Sequence, residues 1–272
     1  MKAKAVIPAA VLAVAAATTP ALASAAPAGA AHHAPKPTVV LVHGAFADAS
    51  GWSGVIERLR HDGYPVVAPA NPLRDLTSDA AYISSILDTI PGPVVLVGHS
   101  YGGELITNAA VGHANVKALV YIAAFAPDQG ESALELTGRF PGSELGANLS
   151  VHNYPVPGGG SAPEGVINQD AFHAVFAADV PARTAADMAA SQRPVGLAAL
   201  SAPSGVPAWK TLPSWFLVAG ADQAIPPASE AFMAQRANSR RTITVNGASH
   251  AVMVSHPKQT ADLIKEAAEA TG

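Results

Sequence analysis

The segment Gly98-His99-Ser100-Tyr101-Gly102 has the spacing of a sharp turn that presents a nucleophilic serine. It follows the apolar run 94–97 and opens a helical stretch, so the chain must reverse direction at Ser100. The flanking glycines leave room for that reversal, and the start of a helix behind the serine favours developing negative charge. The pattern therefore predicts that Ser100 attacks an electrophilic carbon.

A serine hydroxyl is a weak nucleophile and needs a base that a third group holds in place. When a serine stands in such a turn, the acid follows it in the chain and the histidine comes last. His250 lies between the apolar run 242–245 and the final helical stretch, and we predict that it is the base. His256 is the nearest competitor, but its position beside Pro257 is explained by capping of a helix.

Two aspartates could be the acid, because each directly follows an apolar run. Asp222 comes after residues 215–218, and Asp128 comes after a run that ends near residue 122. Asp222 is favoured because it precedes the last strand and helix, which deliver His250, whereas Asp128 is explained as a turn residue bonded to local amides. Asp222 would orient His250 and stabilise its protonated ring without taking the proton.

Two backbone amides should stabilise the negative charge that forms on the substrate oxygen. One belongs to Tyr101, directly after the nucleophile, and the other to the loop 43–46 after the first strand. We favour Ala45 as the second donor because a small residue keeps this loop close to the serine, with Phe46 as the alternative. His43 is better explained as a buried side chain bonded to local backbone.

The elements that must position these residues alternate regularly from Thr38 onward. Apolar runs cover 38–43, 65–68, 94–97, 118–122, 215–218 and 242–245, and helical periodicity covers 50–62, 78–90, a stretch ending near 110, 227–238 and 257–270. Strands that are apolar throughout and alternate with amphipathic helices indicate a mostly parallel sheet covered on both faces. The predicted fold class is therefore α/β.

Residues 126–213 interrupt this alternation. The segment is rich in glycine and proline, contains a flexible turn at 157–161, and shows two helical patterns at about 168–179 and 182–191. We predict an insertion between two strands of the sheet and not an independent domain.

The N-terminus has the pattern of a secretory signal peptide at residues 1–25. Lys2 and Lys4 precede an apolar stretch, and small residues allow cleavage after Ala23 or Ala25. A membrane anchor is the alternative, but the apolar run is short for a span. Residues 26–37 lack periodicity and predict a disordered lead-in to one domain at 38–272. We expect a secreted protein, extracellular or periplasmic, without stable membrane association.

The composition excludes several classes of function. The 272 residues include no cysteine, which excludes disulfides, thiolate metal sites and a cysteine nucleophile. The formal net charge is −4 and no long basic run occurs, so no nucleic acid partner is expected. The hydrophobic fraction of 49% is that of a chain with a buried core. The oligomeric state cannot be read from the sequence.

Together these motifs resemble the α/β-hydrolase superfamily over residues 38–271. The segments 41–45, 121–128 and 247–253 are similar to a narrower group, the small plant methylesterases and hydroxynitrile lyases with their bacterial esterase relatives. The resemblance implies an α/β-hydrolase fold in which the insertion at about 126–213 is a cap over the site. In that group the aspartate at the position of Asp128 is structural, which supports Asp222 as the acid.

The resemblance also implies the reaction: hydrolysis of small or medium carboxylic esters through an acyl-enzyme, with a small-molecule ester as partner and with no metal or organic cofactor. Ala251 stands where the plant lyases have a lysine, and Ala45 or Phe46 where they have a threonine, which argues against cyanohydrin cleavage. The alternatives are a lyase, lactonase or cofactor-free peroxidase reaction on the same residues, or a homologue that binds its ligand and turns it over slowly.

Aromatic residues of the cap are the candidates for the substrate pocket. We predict that Phe172, Phe176 and Trp209 contact the substrate together with Phe46. The helical spacing of Phe172 and Phe176 is also that of ordinary packing between cap and core. A mainly apolar pocket would suit esters with aliphatic or aromatic groups.

Overall fold

The computed structural model describes residue 1 and residues 35–271, and every structural statement below concerns those residues. The chain divides into two units, Met1–Ala34 and Pro35–Gly272. All the helices and strands described here belong to the second unit. The predicted signal peptide and nearly all of the predicted lead-in lie outside the described residues.

Six parallel strands form the main sheet, in the spatial order β2-β1-β3-β4-β8-β9. The nine strands of the described chain are β1 (Thr38–Val42), β2 (Val66–Val67), β3 (Val94–Ser100), β4 (Val116–Ala124), β5 (Leu149–Pro155), β6 (Ser161–Ile167), β7 (Val195–Gly196), β8 (Ser214–Ala219) and β9 (Arg241–Val245). In register, Val40 lies opposite Leu96, which lies opposite Leu119. The predicted parallel sheet is confirmed.

Helices cover both faces of this sheet. They are α1 (Ser53–His61), α2 (Leu76–Leu87), α3 (Tyr101–Ala109), α4 (Ala133–Gly138), α5 (Gln169–Phe176), α6 (Ala182–Ser191), α7 (Leu197–Ser201), α8 (Pro227–Arg236), α9 (Val252–Ser255) and α10 (Pro257–Glu269). Successive side chains of a strand point to opposite faces, so Val39 and Leu41 pack with α1 and α10, while Val40 and Val42 pack with α2, α3 and α8. Burial on both faces explains why the strands are apolar throughout.

The segment between β4 and β8 contains more regular structure than its sequence predicts. The two predicted helices correspond to α5 and α6, and β5, β6 and β7 form a separate antiparallel sheet. Most of β5 is exposed, so it lacks the alternation of apolar and polar residues that reveals a strand in a sequence. The predicted flexible turn at 157–161 links β5 to β6 and includes three consecutive glycines with positive φ, Gly158 to Gly160.

None of the helices within residues 35–271 combines the length and the apolar character needed to cross a bilayer.

Candidate active site

Ser100 ends β3 in a strained backbone conformation, with φ 52° and ψ −126°, and α3 begins at the next residue. This left-handed region is rare for a residue with a side chain. Close packing explains why glycines flank it: a Cβ atom on Gly98 would lie 2.5 Å from the carbonyl oxygen of Gly102, and one on Gly102 would collide with the carbonyl oxygen of Val42. The predicted sharp turn is therefore present, with Ser100 at its apex.

The side chain of Ser100 borders a small apolar cavity of about 80 Å³ at the carboxyl ends of the strands. Tyr101, Ala45 and Phe46 border the same cavity, so the structure brings the residues that are predicted to supply the amide donors close to the serine. Phe46 has a positive φ of 60°, which marks a tight turn in its loop. The choice between Ala45 and Phe46 as the second donor stays a prediction.

His250 and Asp222 are in direct contact in the interior of the protein. Nδ1 of His250 lies 2.5 Å from Oδ2 of Asp222, and the side chains are 1% and 0% exposed. The other oxygen, Oδ1, accepts hydrogen bonds from the backbone N–H groups of Ala224 (2.7 Å) and Ile225 (2.9 Å). The carboxylate is therefore held in one orientation, and a proton on Nδ1 leaves Nε2 of His250 as the basic nitrogen.

A second histidine, His99, connects this pair to the nucleophile. Burial strongly lowers the pKa of His99, so its ring is neutral, and Nε2 donates to the carbonyl oxygen of His250 at 3.0 Å. The ring centres of His99 and His250 lie 4.7 Å apart. His250 thus packs against the residue that precedes Ser100.

In the part of the chain that the structure describes, no hydrogen bond joins the Ser100 hydroxyl to the His250 ring. Such bonds often shorten only when substrate is bound.

The insertion fixes the backbone on both sides of His250, which sequence reasoning missed. The N–H of Ala251 donates to the carbonyl oxygen of Phe176, the last residue of α5, at 2.9 Å. Asp179, three residues later in the insertion, accepts a hydrogen bond from the N–H of Ser249 at 3.2 Å and another from its hydroxyl. The sequence places Asp179 at the end of the helical pattern 168–179, whereas α5 ends at Phe176 and Asp179 lies in the turn that follows it. No sequence signal marked this role.

Glu230 is the second residue that sequence reasoning missed. It lies in the first turn of α8, is 1% exposed, and its Oε2 accepts the N–H of Ala219 at 3.1 Å. Burial and the charge of the neighbouring Asp222 raise the pKa of Glu230 well above its usual value. Glu230 is therefore neutral. Acidic residues are common in first turns of helices, so the sequence offered no signal.

The two competing candidates have other partners. Oδ1 of Asp128 accepts hydrogen bonds from the ammonium of Lys210 and from the N–H of Gln129 at 2.7 Å, as expected for a turn residue. Nε2 of His256 lies 3.1 Å from Oδ2 of Asp179. Neither contact includes Ser100.

The predicted pocket aromatics differ in their positions. Phe172 and Phe176 are fully buried with ring centres 4.9 Å apart, and Phe176 also lies 4.8 Å from the His250 ring. Nε1 of Trp209 donates to the carbonyl oxygen of Pro127 at 3.0 Å. Among residues 35–271, only Phe46 of the four lines the cavity at the serine. Substrate contact by the other three stays a prediction.

Residues 35–271 contain no group of three His, Cys, Asp or Glu side chains arranged to hold a metal ion. Those residues therefore offer no candidate metal centre beside the serine.

The sequence profile of the Alpha/beta hydrolase family matches residues 39–263. The chain belongs to this family. The hydrolase is 28% identical over 255 residues to the "Alpha/beta hydrolase nvfD" of Aspergillus novofumigatus (strain IBT 16806), covering 86% of this chain and 97% of that protein. It is also 32% identical over 123 residues to a "Carbendazim hydrolyzing esterase" of Nocardioides sp. (strain SG-4G), covering 40% of this chain and 51% of the esterase.

Solved structures share the fold of this hydrolase. Polyneuridine aldehyde esterase superposes with a TM-score of 0.73 at 17% identity, covering 85% of this chain and 98% of that one. The pyrethroid hydrolase PytH superposes with a TM-score of 0.68 at 22% identity, and the match covers 86% of this chain and 98% of PytH. The α/β-hydrolase fold and the resemblance to methylesterases and bacterial esterases are thereby confirmed.

Proposed function

We propose that this hydrolase is a secreted serine esterase that cleaves small or medium carboxylic esters with Ser100, His250 and Asp222. The observation that carries the proposal is the buried 2.5 Å contact between His250 and Asp222, two residues that follow Ser100 in the expected chain order. The strained turn at Ser100 and the esterases among the relatives support it.

The reaction follows from the roles of these groups. Ser100 Oγ attacks the ester carbonyl carbon while Nε2 of His250 takes its proton, and the amides of Tyr101 and of Ala45 or Phe46 hold the oxyanion. The C–O bond to the alcohol breaks as Nε2 returns the proton to the leaving oxygen. A water molecule then attacks the acyl-enzyme, again with His250 as base, and releases the acid and the free serine.

Replacement of the serine tests this function. We expect Ser100→Ala and His250→Ala each to lower kcat on p-nitrophenyl acetate by at least about a thousandfold, because the three groups act as a unit. Ser85→Ala, at an exposed serine of α2, is the matched control and should keep the wild-type rate. A wild-type rate in Ser100→Ala would disprove the assignment.

A fluorophosphonate probe separates an esterase from a slow ligand-binding homologue. We expect stoichiometric labelling of the wild type, none of Ser100→Ala, and continuous turnover of esters. Labelling without turnover would contradict the esterase proposal and favour the binding homologue.

Secretion is the part of the proposal that rests on residues 1–25 alone. We expect the mature chain to begin at Ser24 or Ala26, since small residues precede each position. Mass spectrometry of the protein from culture supernatant or periplasm measures this, and a cell-associated chain that retains Lys2 and Lys4 would contradict it.

A further inference from the structure

Two cavities meet at a single residue of the loop after β1. The first, of about 80 Å³, contains Ser100 and is walled by apolar side chains such as Phe125 and Leu200. The second, of about 220 Å³, lies between this loop, α6 and α9. Of the residues that the structure describes, Phe46 alone lines both.

The chemistry of ester cleavage distinguishes the acyl side of the substrate from its alcohol side. The acyl group stays on the serine, whereas the alcohol leaves with a proton from His250, so the alcohol must lie on the His250 side of the carbonyl carbon. The smaller cavity contains the serine itself. The larger one is lined by Gly51 and Met253. The ring of Trp52, next to Gly51, lies 6.3 Å from the ring of His99, which lies 4.7 Å from the ring of His250. The larger cavity is therefore the one on the His250 side.

We infer that the smaller cavity receives the acyl group and the larger one the alcohol, with Phe46 as the divider. This inference rests on the proposed esterase function and names its substrate class: esters of a short acid with a bulkier, uncharged alcohol. Methyl esters of large acids would have the opposite shape. The larger cavity presents Met188 and Met253 on one part of its wall and polar side chains, among them Asp48 and Asp187, on another.

The volumes set the size of each half of the substrate. A cavity of roughly 150 Å³ admits benzene, so 80 Å³ accommodates only an acyl group smaller than a phenyl ring. On the same scale, 220 Å³ accommodates a phenylethyl group. The thioethers of Met188 and Met253 line the larger cavity and adapt to apolar ligands of irregular shape.

Phe46 is suited to act as a fixed divider. It is 3% exposed, and its φ of 60° is a rare conformation for a bulky residue, which persists only where surrounding contacts hold it. The backbone of its loop also offers one of the two candidate oxyanion donors. The divider and the carbonyl group of the substrate are therefore positioned by the same loop.

A pair of isomeric esters tests the assignment of the two cavities. 2-Phenylethyl acetate and methyl 3-phenylpropanoate contain the same atoms but carry the ring on the alcohol and on the acyl side, respectively. We expect kcat/KM to be at least about tenfold higher for 2-phenylethyl acetate. Equal rates, a preference for the methyl ester, or turnover of p-nitrophenyl acetate with neither isomer cleaved would each overturn the inference. Failure on p-nitrophenyl acetate as well would instead count against the esterase function.

A filled cavity provides the second test. Met188→Phe places a larger ring in the wall of the 220 Å³ cavity, and we expect it to lower the ratio of kcat/KM on 2-phenylethyl acetate to kcat/KM on methyl acetate about tenfold. Val111→Phe, at an exposed residue that lines neither cavity, is the control and should leave this ratio at the wild-type value. Thermal melts confirm that both variants fold. Equal losses on the two esters would overturn the assignment of the larger cavity.

Discussion

Asp222 and Glu230 are two buried carboxyl groups near the imidazole of His250, and their surroundings give them different roles. Asp222 accepts two backbone N–H groups and faces the ring of His250. Glu230 accepts one backbone N–H, at Ala219, and is the titratable group that adjoins Asp222 from α8. Burial and the neighbouring charge of Asp222 raise the pKa of Glu230 well above its usual value, so Glu230 keeps its proton at neutral pH.

Substitution of Glu230 should therefore change the pH dependence of the reaction. Glu230→Gln stays neutral and keeps a polar group beside Asp222 and an acceptor for the N–H of Ala219, so we expect kcat/KM within about twofold of the wild type. Glu230→Leu removes that polar group, and the charge of Asp222 then stabilises the imidazolium of His250 more strongly. We expect a lower kcat and an acidic limb of the pH–rate profile that shifts upward by about half a unit to one unit.

The comparison of the two variants separates a positioning role from mere packing. Both replace Glu230 with a side chain of similar size, and both lose the ionisable group. If Glu230→Leu and Glu230→Gln have the same pH profile and the same kcat, Glu230 does not influence Asp222. Its role would then be limited to the hydrogen bond that links α8 to the N–H of Ala219.

At the scale of elements, the insertion between β4 and β8 does more than cover the site. The end of α5 accepts the N–H of Ala251, and Asp179 accepts both the N–H and the hydroxyl of Ser249. Burial raises the pKa of Asp179, but the hydrogen bonds from the N–H and the hydroxyl of Ser249 contribute to lowering it, and the pKa stays below its usual value. An ionised Asp179 thus holds the loop that carries His250.

We expect Asp179→Ala to lower kcat about tenfold with little change in KM, because the base loses its alignment while the cavities keep their walls. Asp179→Asn retains an acceptor for Ser249 and should recover most of the loss. Asp170→Ala, at an exposed carboxylate of α5, is the control. Steady-state kinetics on p-nitrophenyl acetate measure this, and a rise in KM without a change in kcat would show that Asp179 does not position the base.

For the whole molecule, buried carboxyl groups make stability depend on pH. Glu104 and Glu230 are buried with pKa values raised well above normal, and burial raises the pKa of Asp79 to about 6. Asp79 is fully buried and accepts hydrogen bonds from the N–H of Arg74 at 3.0 Å and from the hydroxyl of Tyr101 at 3.1 Å. Because the folded pKa exceeds the unfolded one, the stabilisation is complete below about pH 4 and is lost as the pH rises through 6.

Asp79→Asn should remove that loss at neutral and alkaline pH. The amide keeps an acceptor for Arg74 and a polar partner for Tyr101 but carries no charge to bury. At pH 8 we expect a gain of about 1 kcal/mol in the free energy of unfolding, or about 2–4 °C in Tm. The gain should shrink to about a third at pH 4.5, because the unfolded carboxyl is still ionised there while the folded one is protonated. Calorimetry at the two pH values measures both, and a gain that is equal or larger at pH 4.5 would refute the titration of Asp79.

Local patterns in the sequence determined the sheet, the sharp turn at Ser100 and the positions of Asp222 and His250 at strand ends. These features depend on periodicity and spacing over a few residues, and parallel strands bring their carboxyl ends to one edge. The same reasoning missed the β5–β6 hairpin because its first strand is exposed and lacks apolar alternation.

Only the tertiary structure decided how the site is supported and divided. The contact of Asp179 with Ser249 spans 70 residues of chain, and the two cavities meet at Phe46 through packing of the insertion against the core. Glu230 acquires its neutral charge state only when β8 and α8 bury it beside Asp222. A sequence records residue types and local spacing, whereas burial, partners and empty volume exist only after distant segments have packed together.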